Sequence, residues 1–479
     1  MNLSQPKFVC ALAVTVLVSC STSELARHSD TGRASFDRVQ NCLANRPAGN
    51  LENGTKSQVS FADTTEDIVT TAQKVIETNL REGAVLDQRW YGLKYFGKHQ
   101  ERIFNATKVI FFGGLEDDVR QHVAARYVSM DPAEENQDSG DIRLYTGKRR
   151  DGTYDVIIVG HNGKEVALKT VIRLLYLSRF ADEKTKEKYQ GRLVEFKNSL
   201  QVFLSSRNPR EEFIRFFRMH CIDDPDVVMI GFRGDIRPLL KQKGIGDPES
   251  YTDESLRVNW YPDANGKKVL LVSIDQDRIF ASRSGGLIEA LFATSSRPPA
   301  IVFFGSAGAI DARELVGKIV APVTVRNAEP FTRDRHQGGL VDIIRNRAVD
   351  DALAKTNHVS VASVVVETIA WVKRMKDQRV DTVDQELFHI VNAINSSPES
   401  AKVRFFAGQI VTDNVSSSTH GAHTLESAQE TISATAEGRR AFFAKVLKTV
   451  GILTNEPERR RIGVNRRSTS DREGERLAG

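Results

Sequence analysis

The chain has little of what marks several common classes of function. Its 67 Lys and Arg against 62 Asp and Glu leave a net charge of only +5 over 479 residues. No broad basic stripe interleaved with aromatics is present, so nucleic acid is not an expected partner. The clusters Lys148-Arg149-Arg150 and Arg459-Arg460-Arg461 read as a solvated turn and tail. Only four Cys and ten His occur, and although His220 adjoins Cys221, no second pair stands at ligand spacing. A metal centre therefore has no basis, and no cofactor is expected. Apart from Phe8 to Val18, no apolar run approaches a transmembrane span.

That one run is informative. Lys7 precedes it, and its length suits the core of a secretory signal better than a bilayer span. Leu17-Val18-Ser19-Cys20 then resembles a bacterial lipobox, which would make Cys20 the lipid-modified first residue after cleavage; the alternative is an ordinary signal cut near Ser19 or Ser21 with Cys20 unmodified. The expected organisation is a signal peptide over 1–19 and a polar tether over 20–65. Ser21 after the cysteine implies an outer-membrane lipoprotein facing the periplasm or cell surface, with the membrane as partner through the anchor. Cys42 and Cys221 are the thiols left to pair in an oxidising compartment, although spacing does not show that they meet. The Arg-rich segment 454–479 is expected to be a disordered tail.

The 40% hydrophobic content supports a folded interior, and the length suggests about three domains. Three polar clusters end what read as buried strands: Gly305-Ser306-Ala307-Gly308-Ala309 after Ala300 to Phe304, then Val383-Asp384-Gln385-Glu386, then Val411-Thr412-Asp413. Small or acidic residues just past a strand are where open α/β sheets bind ligands. The Gly-Ser-Ala-Gly segment reads as a turn whose backbone N–H groups could approach a sugar or an anion. Glu386 could accept hydrogen bonds from the vicinal hydroxyls of a ribose. Asp413 could protonate a departing base, and carboxylates also favour the oxocarbenium-like sugar of glycosidic cleavage. The bland readings are a tight turn at Ser306, a helix-start carboxylate at Glu386 and a loop cap at Asp413.

Together these clusters resemble the nucleoside phosphorylase superfamily, and within it the methylthioadenosine/S-adenosylhomocysteine nucleosidases. Gly305 to Ile310 with Leu315 to Pro322 is similar to the family's glycine turn and following strand. Glu367 to Trp371 with Val383 to Glu386 is similar to its helix and ribose motif, and Val411-Thr412-Asp413 to its motif carrying the catalytic acid. The resemblance runs over about Lys267 to Gly451. It implies an α/β, three-layer sandwich with a central mixed sheet, a nucleoside-like ligand bound by Gly305, Ser306, Ala307, Gly308, Gln385, Glu386 and Gln409, and Asp413 as the acid. Gln385 stands where the family has Met, and Gln409 where the nucleosidases often have Arg. Phe303 takes the place of the phosphate-holding arginine of the phosphorylases, which favours hydrolysis over phosphorolysis.

The family's opening strand, Gly and acidic cluster have two counterparts here. Lys108 to Val119 places Asp118 at the water-activating position, and Asp226 to Asp235 places Asp235 there. Each is followed by a similar strand, turn, strand, helix unit, with Tyr145 and Asp155 to Val159 paralleling Tyr261 and Lys268 to Val272. Two readings stand equal: a duplicated N-terminal half-domain, with units over 105–225 and 226–453, or one domain with a long insertion at about 180–225. Two functions also stand: an envelope-anchored N-ribosyl hydrolase acting on a purine nucleoside or related compound, or a catalytically degenerate protein of this fold that binds a nucleoside-like ligand or a protein partner. Self-association is left open.

Overall fold

The computed structural model describes residues 59–83, 92–93, 95–132, 142–274, 278–310, 312–328, 341–342, 353–362, 367–415 and 425–453. The expected signal segment, Cys20, most of the expected tether and residues 454–479 lie outside them. Among the described residues, no helix is long and apolar enough to cross a membrane.

The first sheet is built from β1 (Phe61–Asp63), α1 (Thr65–Glu82), α2 (Gln100–Asn105), β2 (Val109–Gly113), α3 (Glu116–Val123), β3 (Ser129–Pro132), β4 (Arg143–Lys148), β5 (Tyr154–Gly160), α4 (Lys164–Arg179), α5 (Glu183–Ser199) and β6 (Leu200–Ser205). Its strand order is β1-β6-β2-β5-β4-β3, with β2 parallel to both neighbours. Central β2 is apolar along its length because both faces are covered. Val109 and Phe111 join the core under α1, α2, α4 and α5, while Ile110 and Phe112 join the core under α3.

The next segment repeats that plan. After α6 (Pro209–Met219) come β7 (Val227–Ile230), α7 (Arg233–Gln242), β8 (Glu249–Thr252), β9 (Arg257–Tyr261), β10 (Val269–Val272), α8 (Ser282–Thr294) and β11 (Ala300–Ala309). The order β11-β7-β10-β9-β8 matches β6-β2-β5-β4-β3, strand for strand, in sequence of use and in parallel or antiparallel sense. Even the anchor at the start of each repeat is shared, with its residues exchanged. The Asp155 carboxylate accepts from the Lys108 backbone N–H at 3.0 Å, and the Asp226 carboxylate accepts from that of Lys268 at 2.8 Å. Within residues 180–225, β6 is the counterpart of β11, whereas α5 has no counterpart between α8 and β11. The pairing moves one sequence equivalence by a residue: Tyr145 faces Ile157 as Trp260, not Tyr261, faces Leu270.

The chain then adds β12 (Ile319–Asn327), β13 (Val341–Asp342), β14 (Ala354–Ser360), α9 (Ile369–Asp377), β15 (Thr382–Asp384), α10 (Leu387–Asn395), β16 (Phe405–Asn414), α11 (Leu425–Ala434) and α12 (Ala436–Thr449). The last two helices are separated at Thr435, whose hydroxyl turns back to the Thr431 carbonyl at 2.9 Å. β11 pairs with β16, β16 with β12, β12 with β14, β14 with β15 and β15 with β11, so these five strands close on themselves. Helices α6, α8 and α10 pack on one face of the second sheet, α7 and α12 on the other, which completes a three-layer mixed sandwich.

This closure makes the opening that matters. β11 pairs with β7 only from Ala300 to Phe303 and with β15 only at Gly308 and Ala309, so on that side Phe304 to Ala307 have no strand partner. The expected glycine turn is thus a correction: Gly305 to Ala309 stay extended inside β11, because β16 runs parallel beside them as far as Asn414.

Candidate active site

A cavity of about 220 Å³ opens beside that unpaired stretch of β11. It is lined by Ser306 and its neighbours Gly305, Ala307 and Gly308, by Asp384, Gln385 and Glu386 at the end of β15, by Thr412 and Asp413 of β16, and by Glu367, with Ile274, Val383 and Val415 as apolar wall. An adjoining lobe of about 350 Å³ shares Ile274, Gly305 and Ser306 and adds Phe232, Arg233, Gly234 and Ser273.

Asp413 reaches the cavity through a β-bulge. Ala307 pairs with Val411 but Gly308 pairs with Asp413, so Thr412 is an extra residue on β16. Such a bulge bends its strand and re-aims the next side chain. The Thr412 hydroxyl is 2.7 Å from Asp413 Oδ1 and 3.3 Å from the Ala307 carbonyl, which holds the bulge in place. Opposite, a Cβ on Gly308 would come within 2.7 Å of the Val415 side chain, so the packing of Val415 against β11 favours glycine there.

Gln385 and Glu386 are placed by a buried carboxylate beneath them. Asp384 accepts from Ser360 Oγ and Gln409 Nε2, both at 2.6 Å, and from the backbone N–H groups of Glu386 and Leu387 at 3.2 Å. His358 Nε2 lies 2.8 Å from Asp384 Oδ1, the oxygen that also accepts from Ser360, but off the hydrogen-bond axis, while its Nδ1 bonds with the Thr382 hydroxyl at 2.8 Å. From above, Ser284 donates to the Glu386 carbonyl at 3.1 Å. The turn into α10 is therefore rigid, and Glu386 starts that helix facing the cavity.

Several expected site residues stand elsewhere. Gln409 is fully buried below the cavity floor, where its amide binds Asp384. Asp118 sits in the first repeat, paired with Arg207 at 3.1 Å, and Asp235 is held by Arg439 at 2.7 Å, tying α12 to α7. Neither lines this cavity, because each acidic cluster opens a helix whose carboxylate is taken by an arginine from a neighbouring element. Phe303 is fully buried, with its ring under Gly305, so it faces the core and not a phosphate position. Cys221 is buried and disulfide-bonded, while Cys10, Cys20 and Cys42 lie outside the described residues.

The residue that sequence reasoning passed over is Glu367. In the sequence it stands only as the first residue of the Glu367 to Trp371 motif, yet it is 6% exposed and lines the cavity. Its neighbour Thr368 caps α9 by accepting from the Trp371 N–H at 2.9 Å and donates to Glu82 of α1 at 2.8 Å, which fixes the backbone at this point. Burial, followed by the charge of Asp413, pushes the Glu367 carboxyl well above the usual range. Phe232 in the adjoining lobe was also missed; its left-handed backbone, φ +38°, marks a non-glycine residue held by its surroundings beside the cleft. Among the described residues, no group of three His, Cys, Asp or Glu could hold a metal ion.

The fold is an α/β mixed-sheet sandwich, with its cleft beside β11 and the carboxyl ends of β15 and β16. No family model and no curated protein matches the chain. Among solved structures it is similar to a Schistosoma purine nucleoside phosphorylase in complex with hypoxanthine, at 14% identity and a TM-score of 0.38, covering 50% of this chain and 96% of that one. It is similar to a methylthioadenosine phosphorylase from an Antarctic soil metagenomic library, at 16% identity and 0.36, covering 48% and 87%. A third is the 5′-methylthioadenosine/S-adenosylhomocysteine nucleosidase of Neisseria meningitidis in complex with methylthio-immucillin-A, at 16% and 0.35, covering 47% and 98%. At these scores the likeness is slight, and the functional reading rests on the cleft's own residues.

Proposed function

We propose that the cleft hydrolyses the N-glycosidic bond of a purine nucleoside or related compound. Asp413 protonates the departing base and Glu386 accepts from the ribose hydroxyls. The observation that carries this reading is the convergence of the Thr412 bulge and the Asp384-anchored turn, which brings Asp413 and Glu386 to one cavity beside the unpaired backbone of Gly305 to Ala307. On the side of that stretch facing away from β16, the backbone has no strand partner and can meet a sugar. Among the described residues, no basic side chain lines the acidic cavity. That suits water as the attacking species over an anionic phosphate.

A binding-only role is the second reading, and one observation favours it: the two expected water-activating carboxylates, Asp118 and Asp235, are committed to ion pairs outside the cavity. The test is to incubate purified protein with a panel of nucleosides, with and without phosphate, and to measure free base and sugar. Base release in phosphate-free buffer supports hydrolysis. Saturable nucleoside binding without release supports the second reading. For location, we propose that Cys20 anchors the protein in the outer membrane.

A further inference from the structure

We propose that Glu367 and Asp413 work as one carboxyl pair that keeps a single shared proton in the cleft at neutral pH, making Glu367 a catalytic residue of this site. The inference rests on the hydrolase reading for its chemistry but not for its existence. Both side chains line one cavity, Glu367 from the segment leading into α9 and Asp413 from the bulged end of β16. Glu367 is more than nine-tenths buried. Among the described residues the one group acting on it is Asp413, and no hydrogen-bond donor, arginine or lysine answers it. Two ionised carboxylates cannot share such a site cheaply, so the pair retains a proton.

Among the described residues, the other titratable groups about the cavity do not supply that proton. Glu386 sits at the start of α10, and Asp384, with His358 behind it, is engaged by Ser360, Gln409 and two backbone N–H groups. Arg233 lines only the adjoining lobe.

The proton balance is simple. As the bond from C1′ to the base nitrogen breaks, its electron pair goes to the base and the pair's proton moves to a ring nitrogen. Water then adds to C1′ and releases one proton, which restores the pair. The net reaction is nucleoside plus water to free base plus ribose. An isolated aspartate would be ionised at neutral pH, and Glu367 is what keeps the acid loaded.

The experiment is a carboxyl NMR titration of the full chain carrying side-chain carboxyl ¹³C-glutamate, in wild type, Glu367→Gln and Asp413→Asn. The expected result is one Glu resonance titrating far above the others, absent in Glu367→Gln and moved to lower pH in Asp413→Asn. The proposal is overturned when every Glu titrates in the ordinary range, or when Asp413→Asn leaves the high titration in place. Where wild type cleaves a nucleoside, Glu367→Gln should shift the alkaline fall of kcat/KM to lower pH, and an unmoved profile would remove Glu367 from catalysis. A high, Asp413-dependent titration in a protein that cleaves no nucleoside would sink the hydrolase reading while upholding the pair.

Discussion

Replacing Asp384 with Asn should damage the site more than its distance from any ligand suggests. The carboxylate gathers four donors: the Ser360 hydroxyl, the Gln409 amide, and the N–H groups of Glu386 and Leu387. An amide of the same shape offers one accepting oxygen and turns an NH₂ toward at least one of these donors. A hydrogen bond to a charged group contributes about 1.5–3 kcal/mol, and a buried donor left unmet costs about 1–3 kcal/mol. Some donors will still find the remaining oxygen, so the net loss should be about 2–4 kcal/mol, short of the about 3–5 kcal/mol seen when a buried ion pair is broken outright. Urea unfolding followed by tryptophan fluorescence would read it as a lower midpoint at unchanged slope. Glu399→Gln removes the exposed contact with Lys402, and should leave the midpoint in place because such pairs contribute little. If Asp384→Asn matched that control, the claim that this carboxylate organises the cavity-facing turn would be wrong.

Other substitutions separate the roles. Asp413→Asn should cut turnover by about 10²–10⁴-fold with little change in binding, whereas Glu386→Gln should weaken ribose-bearing ligands by about 1.5–3 kcal/mol, as steady-state kinetics and calorimetry would show. Because the Glu367 carboxyl lies above its ordinary 4.5, the folded state binds that proton more tightly than the unfolded chain does. Stability should therefore fall as pH rises from about 4.5 through the folded value, and Glu367→Gln should flatten that slope in denaturation measured across pH. His220 has the opposite sense: burial against Phe216 and Tyr251 holds its imidazole down at about 4, so stability should be lost as pH falls from 6.5 toward 4, by about 3 kcal/mol in all, and His220→Phe should remove the loss. For the anchor, Cys20→Ala should release the protein from the membrane fraction, and unchanged retention would end the lipobox reading.

Much of the second sheet was legible because parallel strands buried on both faces write continuous apolar runs, as in Val227 to Ile230, Val269 to Val272 and Ala300 to Phe304. The repeat was visible for the same reason, and its register was misjudged by one residue only at Tyr261, where an aromatic on either of two adjacent positions fits the pattern equally well. Glycines 305 and 308 read as a turn because glycine permits one, yet what they provide is room: for the Phe303 ring below the first and for the Val415 side chain beside the second. Asp413 and Glu386 were found through short motifs at strand ends. Glu367 was not, since its importance comes from burial opposite Asp413, 46 positions along, which no local pattern records. The fates of Asp118, Asp235 and Gln409 were hidden likewise, being set by Arg207, Arg439 and Asp384 from distant parts of the chain.

The most direct measurement is the product analysis of the wild-type protein and Asp413→Asn incubated with purine nucleosides in phosphate-free and phosphate buffers. The account predicts free base and free ribose from wild type at the same rate in both buffers, and a loss of at least about 10²-fold in Asp413→Asn. Ribose 1-phosphate as product, a rate that depends on phosphate, or base release undiminished in Asp413→Asn would contradict it.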